Sequence, residues 1–79
     1  MQVQIQLFAT LTEYLPKDSG GKAINLEVEP GTSVKQLLQD LQVPRDMVKL
    51  IFKNGLQAQD KDILEDKDRI GVFPPIGGG

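Results

Sequence analysis

Cysteine, histidine and tryptophan are missing from the 79-residue chain, and aromatic residues make up only 5% of it. Without Cys or His there is no thiolate or imidazole to ligate a metal, no cysteine nucleophile and no imidazole general base. Most enzyme chemistries are excluded on that ground alone. Basic residues are also few: nine Lys and Arg stand against eleven Asp and Glu, for a net charge of −2. A net-negative surface without a long basic stripe repels nucleic-acid phosphates, so no nucleic-acid partner is expected. Long apolar runs are absent as well. The opening MQVQIQLFATL has neither a basic leader nor a continuous apolar segment, so the expected compartment is the cytoplasm, with no signal peptide and no membrane span.

What remains is the composition of a small globule, 39% hydrophobic and 25% charged. A chain of this length supports one core and no second one. Val3, Ile5 and Leu7 alternate with Gln2, Gln4 and Gln6, which predicts a strand over residues 2–8 with one buried and one wet face. Leu11, Tyr14 and Leu15 then fall at helical spacing before Pro16, predicting a short helical turn. Residues 17–22 read as a loop. Alternation returns at Ile24, Leu26 and Val28, a second strand expected to pair antiparallel with the first.

After Pro30-Gly31, Thr32 or Ser33 is placed to cap a helix whose apolar stripe is Val34, Leu37, Leu38 and Leu41. Residues 48–53 predict a third strand, and Asn54-Gly55 a tight hairpin into a short partner strand beginning at Leu56. The acidic stretch 60–68 reads as a solvated loop held to the core by Ile63 and Leu64. Its acids lack the ligand spacing and central glycine of a calcium loop, so no metal is expected. Arg69 to Phe73 is the last strand. Two hairpin-like units flanking one amphipathic helix predict an α+β fold, a mixed sheet of four to five strands around one main helix. A β-grasp fits that order, with residues 1–73 as the globular domain and 74–79 as a flexible carboxy-terminal tail.

The tail holds the candidate site. Pro74, Pro75 and Ile76 form a stiff spacer ahead of Gly77, Gly78 and Gly79. Six residues, fully extended, reach about 20 Å. Glycines without Cβ atoms could enter a channel too narrow for side chains and leave the terminal carbonyl carbon open to attack. The α-carboxylate is ionised at neutral pH and is no electrophile until it is activated. That activation has to come from another protein.

The segments Leu7-Phe8-Ala9-Thr10-Leu11, Pro30-Gly31-Thr32-Ser33-Val34 and Lys53-Asn54-Gly55, and above all the ending from Asp68 through Phe73-Pro74-Pro75-Ile76-Gly77-Gly78-Gly79, resemble the ubiquitin-like sulfur carriers. The likeness is to the small subunit of molybdopterin synthase (MoaD-like) more than to the thiamine carrier (ThiS-like). The resemblance implies a protein cosubstrate rather than an enzyme. A ubiquitin-activating-type enzyme would use ATP to adenylate Gly79, a sulfur donor would convert it to a thiocarboxylate, and a large synthase subunit would bring the sulfur acceptor. No cofactor is held by the chain itself. Thiamine or another sulfur-transfer pathway, and a protein modifier forming isopeptides, stand as alternatives. Partner docking is expected on the open face of the sheet, at Phe8, Phe73 and Ile51, where Leu50-Ile51-Phe52 also resembles the corresponding strand of ubiquitin. Asp68 and its neighbours, with Lys53 and Lys61, are further candidates for ion pairs with such a partner.

Overall fold

A computed structural model describes residues 1–75. Strand β1, Gln2–Leu7, sends Val3, Ile5 and Leu7 into the core and leaves the glutamines on the opposite face, as the alternation requires. Ala9–Tyr14 is a 3-10 helix with Leu11 buried, and Leu15 follows it into the core before Pro16. Residues 17–19, expected as loop, form a further 3-10 turn. β2, Ile24–Glu27, runs antiparallel to β1 with Gln2 opposite Glu27 and Ile5 opposite Ile24.

Helix α1, Val34–Asp40, begins at Ser33, whose hydroxyl accepts the Gln36 N–H at 3.1 Å. Of the two residues placed to cap it, Ser33 does so; the Thr32 hydroxyl instead donates to the Glu29 carbonyl at 2.6 Å. Val34, Leu37 and Leu38 are buried beneath it. β3 begins at Leu50 and ends at Lys53, two residues later than the expected start, because Arg45–Met47 closes a 3-10 turn and the chain straightens only after it. Asn54 and Gly55 both adopt positive φ, 54° and 84°, and turn the chain into β4, Leu56–Ala58. Two consecutive left-handed residues make the primed turn whose twist matches that of a hairpin.

The 59–68 connection is held differently from expectation. Leu64 is buried at 2% exposure, but Ile63 is 51% exposed. Ile63 forms an isolated bridge with Ser33, and the Leu64 N–H donates to the Thr32 carbonyl at 2.8 Å. Neighbouring residues of an extended segment point to opposite sides, so only one of the two can enter the core.

β5, Arg69–Phe73, lies at the centre of the sheet, parallel to β1 and antiparallel to β3, in the order β2-β1-β5-β3-β4. The helix-containing connection between the two hairpins covers one face. The core joins Val3, Ile5, Leu7, Ile51, Ile70 and Val72 of the sheet to Val34, Leu37 and Leu38 of α1, sealed by Leu11, Leu15, Val43 and Leu64. This is a ubiquitin-like β-grasp, with the second sheet face left uncovered by the described residues. Among the described residues no helix is long and apolar enough to cross a membrane.

Candidate functional site

Because Ile70 and Val72 point into the core, β5 turns Arg69, Gly71 and Phe73 onto the uncovered face. The same parity on β1 puts Gln4 and Gln6 there, followed by Phe8, and on β3 it puts Leu50 and Phe52 there. Three of the four aromatic residues thereby meet. Phe8 and Phe73 stack with ring centroids 4.2 Å apart and planes 2° from parallel, and Phe52 meets Phe73 edge-on at 5.7 Å. These are the offset and T-shaped geometries that aromatic quadrupoles favour. The rings border a shallow basin of about 500 Å³ whose rim carries Gln4, Gln6 and Arg69.

Gly71 lies beneath the rings. A Cβ built there would sit 3.3 Å from Phe8 Cε2, so the absence of a side chain is what lets the Phe8 ring lie against the sheet. Phe8 is also tied by its backbone, its N–H donating to the Val72 carbonyl at 3.0 Å. The Phe73 carbonyl accepts the Lys49 N–H at 2.8 Å. Strand pairing stops there. Pro74 is half-buried and Pro75 exposed, and neither has an N–H to extend the ladder.

The expected docking residues Phe8 and Phe73 do share the open face, but Ile51 does not. It is 5% exposed and pairs with Val72 inside the core. Once Ile51 fills the core, the pleat forces its neighbours Leu50 and Phe52 outward, so Phe52 occupies the place assigned to Ile51. Nothing in single-strand alternation set that parity; it follows from pairing with β5. Gly71 is the local signal of the patch, since a glycine interrupting the Ile70–Val72 alternation marks close approach of another group. Ile76, Gly77, Gly78 and Gly79 lie outside the described residues.

Asp68 is not part of a solvated loop. It is 5% exposed, its carboxylate accepting the Asn54 side-chain amide at 2.9 Å and the Glu65 N–H at 2.7 Å, with Lys53 Nζ at 4.0 Å. The Asn54 side-chain oxygen in turn accepts the Arg69 N–H at 2.9 Å. Asp68 therefore ties the β3–β4 turn to the start of β5 and is not free for a partner. Lys53 is drawn into the same cluster, whereas Lys61 is exposed. Among the described residues no group of three or more acidic side chains is arranged to hold a metal ion.

Comparison with known proteins accords with this architecture. Residues 1–77 match the family model described as Mut7-C ubiquitin. Small archaeal modifier protein 3 of Haloferax volcanii is 29% identical over 96 aligned residues, covering all of both chains. The crystal structure of small archaeal modifier protein 1 from the same organism superposes with a TM-score of 0.71 at 20% identity, over 95% of this chain and 98% of that one. A chain of the complex of subunits 1 and 2 of molybdopterin-converting factor from Helicobacter pylori 26695 has a similar fold, with a TM-score of 0.63 at 22% identity over the full length of both chains.

Proposed function

The chain belongs to the Mut7-C ubiquitin family of ubiquitin-like proteins, and from that premise we propose that it is a sulfur carrier whose Gly79 carboxylate is activated by a partner enzyme. The observation that carries this reading is the placement of β5. Its last residue, Phe73, sits in an aromatic patch on the uncovered face, directly before Pro74-Pro75 and the glycines. The aromatic patch and the root of the tail are thus adjacent, which supports docking at that face, and no side chain of the patch is a nucleophile or a general base.

In the proposed cycle a ubiquitin-activating-type enzyme binds the open face through Phe8, Phe52 and Phe73. A Gly79 carboxylate oxygen attacks the α-phosphorus of ATP, pyrophosphate leaves, and an acyl-adenylate forms. A donor supplying sulfur at the level of hydrosulfide attacks the carbonyl carbon and AMP departs, leaving a thiocarboxylate. Gly77, Gly78 and the spacer Pro74, Pro75 and Ile76 carry that group into a synthase. The acceptor we propose is the pterin precursor of the molybdenum or tungsten cofactor, held by a large synthase subunit; thiamine synthesis would use the same chemistry. A second reading, supported by the likeness to a small archaeal modifier protein, sends the same adenylate to a lysine amine as an isopeptide.

Incubation with ATP, the adenylating enzyme of the same organism and a sulfide source tests the proposal. Pyrophosphate release with conversion of the terminal carboxylate to a thiocarboxylate is expected, and removal of Gly78-Gly79 should abolish both. Lysine-linked adducts formed in place of a thiocarboxylate would favour the modifier reading.

A further inference from the structure

We infer that Phe8 is a positioning residue: by stacking on Phe73 across Gly71 it fixes the direction in which Pro74-Pro75 leaves the sheet, and so aims the reactive end of the chain. The inference rests on the carrier reading for its functional consequence, but its geometry stands alone. Phe73 is the last residue in strand pairing, and its carbonyl accepts the Lys49 N–H at 2.8 Å. On the β1 side the Phe8 N–H donates to the Val72 carbonyl, and strand alternation turns the N–H and C=O of Phe73 itself toward β3. What constrains Phe73 on that side is the Phe8 ring, 4.2 Å away and 2° from parallel, with the Phe52 edge closing the opposite flank.

Two local features keep the Phe8 ring in that plane. Ala9, with φ at 52°, turns the chain sharply out of β1 and holds Phe8 at its end, while Gly71 leaves the space into which the ring settles. Pro74 and Pro75 have φ fixed by their rings and pass an angular change onward instead of absorbing it. Over the two prolines, about 7 Å when extended, a tilt of about 15° at the root would move the point where the tail continues by about 2 Å. Acyl transfer is sensitive to misplacements of about 1 Å. A device that holds the root therefore acts on turnover, whereas a docking side chain acts on affinity.

Phe8→Leu removes the flat ring but keeps an apolar group on the docking face. Gly71→Ala removes no docking group and sets a methyl 3.3 Å from the Phe8 ring edge. Both leave the core untouched, because neither residue belongs to it. In ATP–pyrophosphate exchange with the adenylating enzyme, each should lower kcat by about tenfold, with KM changed less than about twofold in Gly71→Ala, which removes no docking group, and Phe8→Tyr should keep the wild-type kcat. In the free protein, the Cα–Hα residual dipolar couplings of Pro74 should change in both variants and return in Phe8→Tyr. A raised KM with unchanged kcat would make Phe8 a docking residue only and overturn the inference. So would Pro74 couplings that do not respond to the loss of the stack. If the wild-type protein is not adenylated at all, the carrier reading fails, and the couplings alone still decide whether the stack aims the tail.

Discussion

Gln42 adopts a φ of 64° just after the end of α1. Its N–H donates to the Gln39 carbonyl at 2.9 Å, and the Val43 N–H reaches back to Leu38 at 3.0 Å. These are the two hydrogen bonds of a Schellman cap, a position where glycine is favoured because a Cβ is strained there. Gln42→Gly should therefore stabilise the protein by about 1 kcal/mol in urea denaturation. Asp68 presents the opposite case. Its carboxylate satisfies the Glu65 N–H and the Asn54 amide in a nearly water-free position. Asp68→Ala should cost about 2 kcal/mol by the same measurement, because the part-buried Glu65 N–H and Asn54 amide both lose their acceptor. Asp66→Ala, which removes an exposed acceptor of the Gln2 N–H, should cost clearly less. The sequence showed the acids of this loop but not their inequality, since burial of Asp68 depends on Asn54, distant in sequence and brought close only by the hairpin.

At the scale of elements, the legible parts were those with a local cause. The β1 alternation, the Asn54-Gly55 turn, the α1 stripe and the β5 limits all follow from side-chain period or backbone preference within a few residues. Which face each strand turns inward is a property of pairing, and there the reading of β3 failed: Ile51 faces the core and Phe52 the basin. The distinction has a measurable consequence. Phe52→Ala should weaken binding to the adenylating enzyme by about tenfold, the loss typical of an aromatic anchor. Leu56→Ala, at a residue 74% exposed on the edge strand β4 and paired with Lys53 on the other face of the sheet, should leave affinity unchanged. Titration calorimetry of both variants against the same enzyme separates an apolar residue that docks from one that is merely exposed.

For the molecule as a whole, the mixed sheet does two things at once. One face buries α1 and provides the stability of the fold; the other collects three aromatic rings around the strand that leads into the tail. The α+β class, the one α-helix and the five strands were readable from the order of patterns, while the proposed tail chemistry rests on the Pro-Pro spacer and the glycines. The aromatic patch was readable only in part, because Phe52 and Phe73 lie on β3 and β5 and Phe8 just beyond β1, and no single segment reveals the register that joins them. The most direct measurement of the central claim is high-resolution intact mass with terminal fragmentation of the chain after it has been expressed beside its adenylating enzyme. The account predicts a population in which one oxygen of the terminal carboxylate has been replaced by sulfur, with the change confined to the fragment containing Gly79. A terminus that keeps both oxygens while ATP is consumed, or sulfur found anywhere else in the chain, would contradict it.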